Sequence, residues 1–258
     1  MLKIIYHESC LTPYFTSVAE SPLRMRAIYN RLKDRYRIIT PMPAVPEDIL
    51  RVHTFEHLQR VQQEGPEIYE TALMAAGGAL FAARFAAKRE PAFAVVRPPG
   101  HHASRSRYGG FCFFNNIAVA VASLLDAEII ENVIIVDTDM HDGDGTRDIF
   151  CNTDSVSIID IRMRERLGYM DLLRDRLIEA PDTDLLAVSA GFDLYVRDWG
   201  GLLHTTDFHE IGYLLYETAM EKAKGQYFAV LEGGYFLEEL GKNVLSFCLG
   251  LEGQKPRS

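Results

Sequence analysis

The sequence predicts an α/β fold with a central, mostly parallel sheet covered on both faces. Three observations lead there: short apolar runs rich in β-branched residues, amphipathic helical stretches between them, and unusual polar residues just after the runs. The runs are Lys3 to Tyr6, Ala92 to Val96, Val133 to Asp137, Val156 to Ile161, Leu185 to Ser189 and Tyr227 to Leu231. Nearly continuous apolar character marks strands buried on both faces. The intervening helical stretches are Pro22 to Lys33, Tyr69 to Lys88, Asn115 to Leu125, Asp207 to Lys224 and Leu237 to Leu249. After the runs come His101 and His102, Asp139 to Asp144, Asp193 and Tyr235. In an open parallel sheet the carboxyl edge is where loops and helix amino termini converge on ligands, so four distant segments are expected at one mouth.

Size and charge narrow the function classes. The 258 residues carry no repeat, low-complexity tract or linker, and residues 1–258 read as a single domain around one core. A net charge of −9 weighs against a broad phosphate-binding face, so direct nucleic-acid binding is not expected and cationic or neutral ligands are favoured. Cys10, Cys112, Cys151 and Cys248 form no Cys-x-x-Cys pair and read as buried apolar residues in a reducing, cytoplasmic setting. The first ten residues, MLKIIYHESC, hold too short an apolar stretch for a secretory signal. The stretch from Thr71 to Ala83 falls short of the roughly 20 apolar residues of a membrane span and reads as a core helix.

The segment VDTDMHDGDGT, Val136 to Thr146, carries the strongest chemical signal. In an extended chain Asp137, Asp139 and His141 project from one side, and two of them can share a metal. Carboxylate oxygen with imidazole nitrogen suits a divalent first-row ion. Asp193, in SAGFD beyond an apolar run, offers a third ligand and leaves positions open for water and substrate. Taken singly, Asp139 and Asp142 also fit caps of a helix starting near Gly143, and Asp193 fits a turn.

Three further segments complete the chemistry. RPPGHHA places His101 and His102 side by side, an arrangement suited to moving protons near a metal-activated water if each has a carboxylate to fix its tautomer. Asp137 and Asp144 are available for that, although one of the histidines alone also fits a hydrogen-bonded core position. LEGGY ends a run with two glycines and presents Tyr235, whose phenol can stabilise an oxyanion or simply pack beside a turn. YGGFCFFNN sets glycines among aromatics, so Gly110 and Phe111 are candidates for a substrate wall, with core packing the expected fate of at least two of the three phenylalanines.

In this order, RPPGHHA, GGFCFFNN, VDTDMHDGDGT, SAGFD with a following GGL, and LEGGY resemble the histone deacetylase family, which shares a superfamily with arginase and includes acetylpolyamine amidohydrolases. SPLRMRAI and HTTDFHEIG extend the resemblance over most of the chain. It implies a three-layer α/β/α fold and a zinc ion held by Asp139, His141 and Asp193, with Fe2+ or Co2+ as alternatives for the same donors. It further implies that Asp137 orients His101 and Asp144 orients His102, that His102 is the principal base and acid with His101 as electrostatic helper, and that Tyr235 completes the oxyanion site. The implied reaction is hydrolysis of an N-acetyl or N-acyl amide of a lysine, a polyamine or another small amine. A non-catalytic acyl-amine binding protein of the same fold is the alternative, set against the intact set of Asp139, His141, Asp193, His102 and Tyr235. A binuclear ureohydrolase is disfavoured by the lack of further acids around Asp193.

Three departures qualify the resemblance. Asp142 stands where many members have a second histidine, at a position pointing away from the metal. Asp160 and Arg162 replace a usual serine and histidine, which puts a structural K+ site in doubt. Between Arg162 and Leu185 relatives have a much longer glycine-rich loop forming one wall of the substrate tunnel, so a more open entrance, or one completed by a neighbouring subunit, is expected.

Overall fold

The computed structural model describes residues 1–256. Seven strands form one parallel sheet: β1 (Lys3–Ile5), β2 (Arg37–Ile39), β3 (Ala92–Ala94), β4 (Val133–Asp137), β5 (Val156–Asp160), β6 (Leu185–Ala190) and β7 (Tyr227–Leu231). Their order across the sheet is β2-β1-β3-β7-β6-β4-β5. Every residue of β3, β4, β6 and β7 is buried, as their unbroken apolar runs require.

Helices cover the sheet as the outer layers of a three-layer α/β/α fold. One group contains α1 (Leu23–Leu32), α7 (Arg166–Glu179), α8 (Thr205–Lys222) and α9 (Leu237–Leu251), packed in the order α1-α9-α8-α7. The other contains α2 (Pro46–Ile49), α3 (Phe55–Gln63), α4 (Pro66–Ala86), α5 (Asn116–Asp126) and α6 (Asp144–Phe150), with α4 lying against β1, β3 and β7. Alanines and glycines on the buried face of α4 let it approach the sheet closely. No helix among the described residues is long and apolar enough to cross a membrane.

The topology places the chemistry. Strands β3, β7, β6 and β4 are consecutive neighbours, and the segments after them carry the His pair, Tyr235, Asp193 and the Asp139–His141 turn. Adjacent strands lie about 4.8 Å apart, so these four segments necessarily meet at one edge. The chain between Arg162 and Leu185 is largely helix rather than loop. Tyr169, Met170, Leu173 and Leu177 of α7 are buried, and α7 packs on α8. Two smaller corrections concern strand β2, which the apolar runs did not reveal, and Cys151, which is exposed while the other three free cysteines are buried.

Candidate active site

The turn after β4 is built by its own side chains. Asp137 Oδ1 accepts the Asp139 N–H at 3.0 Å and Asp139 Oδ1 accepts the His141 N–H at 2.8 Å, each reaching two residues onward. The strand therefore stops at Asp137, and consecutive turns, not an extended alternation, bring Asp139 and His141 inward. From the next strand, Asp193 Oδ1 accepts the Met140 N–H at 3.0 Å and locks the two loops together.

Donor atoms of Asp139, His141 and Asp193 all lie within 4.8 Å of one another. His141 Nδ1 stands 3.1 Å from Asp139 Oδ1 and 2.9 Å from Asp193 Oδ2. Both carboxylates are buried, and Asp193 Oδ2 has no hydrogen-bond partner. Gly233 makes the convergence possible, since a Cβ there would stand 2.6 Å from Asp139 Oδ2 and 2.7 Å from Asp193 Oδ2. Its N–H donates to Asp139 Oδ2 at 2.8 Å instead.

The electrostatics call for positive charge. The two flanking carboxylates, 3.1 and 2.9 Å from Nδ1, push His141 up to about 10. Burial and the neighbouring Asp139 push Asp193 up to about 7, whereas for Asp139 burial is outweighed by His101 and His141, which hold it below the ordinary range. Two carboxylates and an imidazole, with one buried carboxylate oxygen lacking a hydrogen bond, fit a divalent first-row ion. A second convergent group, His101, Cys112 and Glu232, also holds a buried oxygen without a hydrogen bond, Glu232 Oε1, but sets only one carboxylate beside a protonated thiol. Glu232 Oε2 already accepts the Gly100 and His101 N–H groups at 2.7 and 3.1 Å, and burial holds the Cys112 thiol well above its usual range.

The paired histidines stand beside the donor set, with ring centroids 4.2 Å apart and His102 5.8 Å from His141. His101 Nδ1 meets Asp137 Oδ2 at 3.0 Å and His102 Nδ1 meets Asp144 Oδ1 at 2.7 Å. Their environments drive them apart. For His101 burial is overcome by Asp137 and Asp139, which push it well above the ordinary value; His102 is lowered by burial and by the charge of His101, with Asp144 opposing. One imidazole is thus biased to carry charge and its neighbour to stay neutral.

Residues 18–170, more than half of the chain, match the histone deacetylase domain. The chain belongs to the histone deacetylase family. A probable deacetylase of Methanothermobacter thermautotrophicus is 29% identical, the alignment covering 92% of this chain and 86% of the relative. A probable deacetylase of Archaeoglobus fulgidus is 31% identical over 84% of this chain and 73% of its own length. The crystal structure of the HDA15 HD domain shares the fold, with a TM-score of 0.85 at 24% identity over 99% of this chain and 90% of that one. The protein is a histone deacetylase-like amidohydrolase, a hydrolase of a metal-dependent family.

In this family member the site opens into a slot of about 200 Å³, lined by the histidines, Gly110, Phe111, Trp199, Gly233 and Tyr235 among others. Gly110, at φ 55°, passes so close to His102 that a Cβ would lie 2.3 Å from the ring. Tyr235 is pushed above its usual phenol range by burial, with Arg24 opposing, so its O–H stays a donor. Arg24 Cζ stands 4.8 Å from the Tyr235 ring centroid while its nitrogens donate to the Glu232 and Gly234 carbonyls at 2.5 Å each.

Arg24, Asp198, Trp199 and Glu232 were not singled out by sequence reasoning. Arg24 and Glu232 sit inside recognised motifs, and only their burial reveals their part. Trp199 carried one usable signal, as the sole tryptophan, six residues after Asp193. Asp142 turns outward, paired with Arg147 and, at 2.9 Å, with Arg162. Asp160 accepts from Arg147 at 2.7 Å and Arg162 at 2.6 Å, and Arg162 also donates to the Met140 carbonyl at 3.1 Å. The usual serine and histidine are thus replaced by a guanidinium and carboxylate network.

Proposed function

We propose that residues 1–258 form one catalytic domain that hydrolyses the N-acetyl or N-acyl amide of a lysine, a polyamine or a related small amine, with zinc held by Asp139, His141 and Asp193. The observation that carries this reading is the three-donor cluster beside a neutral-biased His102, with Tyr235 on the same slot. Zinc bound there, or Fe2+ or Co2+ on the same donors, supplies Lewis acidity for the amide carbonyl and lowers the pKa of water. His102, oriented by Asp144, takes the proton of the attacking water and returns it to the leaving nitrogen. His101, held charged by Asp137, steadies the negative charge that develops nearby. The Tyr235 hydroxyl donates to the carbonyl oxygen as it becomes an oxyanion. Gly110 and Phe111 line the path of the substrate. Four free thiols, three of them buried, support a cytoplasmic setting.

Metal analysis with hydrolysis of a fluorogenic acetyl-lysine peptide tests the reading. Tyr235→Phe is expected to lower kcat by about 10²–10³ with KM little changed, because the donor acts on charge formed in the transition state. His102→Ala should fall at least as far. Full activity in both variants removes the mechanism.

A further inference from the structure

Trp199 is the chain's only tryptophan, and its ring stacks on Tyr235 with centroids 4.1 Å apart at 24°. It meets His141 edge-on at 5.8 Å and 85°. Its backbone is fixed by Asp198, whose carboxylate accepts the N–H groups of Trp199, Tyr235 and Phe236 at 2.8, 2.6 and 2.7 Å. The turn bearing the indole and the segment bearing the phenol therefore hang from one charged acceptor. On the far side, Gly200 donates to the Asp193 carbonyl at 2.8 Å, which sets the spacing to the donor cluster.

The same indole lines two cavities. One is the slot of about 200 Å³; the other is a groove of about 670 Å³ whose walls include Met140, Met163, Leu194 and Leu202. The groove lies beside residues 162–164, where the chain turns directly into α7 instead of forming a loop. Trp199 borders both, and Phe111, which lines the slot with it, stands 6.1 Å from Tyr235 at 71°.

The structure assigns Trp199 the role of specificity-determining wall: with Phe111 it confines the acylated amine to a slim, unbranched alkyl chain and keeps bulkier substituents out of the groove. The assignment rests on the deacylase reading and deepens it, and it replaces the open entrance expected from the short segment by a wall from another loop. An apolar chain lying along aromatic walls gains contact along its length, whereas a branched one must displace the indole.

The test compares N-butylacetamide with N-(cyclohexylmethyl)acetamide on the metal-loaded protein. The wild type should favour the slim probe in kcat/KM. Trp199→Ala should shrink that ratio about tenfold or more, and Trp199→Phe should keep most of it. An unchanged ratio in Trp199→Ala overturns the assignment. The indole is 51% exposed, so the fold does not depend on it. As the sole tryptophan it also reports binding without turnover: emission should respond to the slim probe at concentrations where the bulky one has no effect, and equal responses overturn the proposal. Hydrolysis of neither probe removes the deacylase reading, and the fluorescence comparison then decides the role of Trp199 by itself.

Discussion

At the scale of single residues, two adjacent imidazoles are made different by their partners. Asp144 is 63% exposed at its side chain, yet its oxygen lies 2.7 Å from His102 Nδ1 and favours the charged ring. Burial and His101 act the other way and win, so His102 lies below its ordinary value of 6.5. A base works only when neutral, so the acid limb of kcat/KM should lie below pH 6.5. Asp144→Asn removes a partner that raises the pKa, which must move that limb to still lower pH. Loss of the orienting carboxylate should also lower the plateau by about 10-fold to 100-fold. A pH–rate profile of the variant checks both, and a limb moving upward contradicts the assignment. The residues of this unit were legible because each stands in a motif whose chemistry is local. Trp199 and Asp198 were not, because their effect comes from the stack on Tyr235 and from backbone donors of a segment beginning 36 residues later, relations that no local pattern encodes.

At the scale of elements, the ends of β4 and β5 are tied by charge. Arg162 donates to the Met140 carbonyl and to Asp142 and Asp160, gripping the turn that carries Asp139 and His141. Its side chain is 42% exposed, so Arg162→Ala should cost at most about 1 kcal/mol of stability. Metal affinity should nevertheless drop, by about 10-fold or more, because the turn between Asp139 and His141 loses its anchor; a metal-binding isotherm beside a denaturant curve separates the two effects. A different tie joins the helices to the His-pair loop. His53, buried between α2 and α3, donates from Nδ1 to the Ser104 carbonyl at 2.9 Å and accepts the Asn115 N–H on Nε2 at 2.9 Å. Burial and the adjacent His57 push it down to about 3. The unfolded chain takes up this proton near pH 6.5 and the folded one does not, so stability is full above pH 6.5 and is lost as pH falls towards 3. At pH 5 the loss should be about 2 kcal/mol, and an imidazole signal that stays neutral at pH 5 in the folded protein would establish the cause. Elements were legible where burial is two-sided, as in β4 and β7. β2 escaped because three residues with intermediate or exposed side chains show no period. α7 escaped for another reason. Its buried Tyr169, Met170, Leu173 and Leu177 do follow a helical period, but the segment was set only against the longer loop of relatives.

At the scale of the whole molecule, the donor cluster is an unfavourable thing to bury by itself. Asp139 and Asp193 are 1% and 0% exposed, with Asp193 Oδ2 lacking a hydrogen bond, at the junction of β4, β6 and β7. Like charges in such a setting oppose folding unless cations compensate them, and His141 between them sets one positive charge against two carboxylates. A divalent ion that binds the folded chain and not the unfolded one stabilises it by about 2.7–4.1 kcal/mol at 100–1,000 times its Kd. For a chain of this size each kcal/mol moves Tm by roughly 2–4 °C, so chelation should lower Tm by about 5–15 °C and added zinc should restore it. Asp193→Asn removes both a ligand and a buried charge, so its apo form should be no less stable than the apo wild type while losing the response to zinc. Calorimetry of the four samples decides the matter independently of turnover. A wild type whose Tm ignores both chelator and zinc would leave the two buried carboxylates without the cation that their geometry demands.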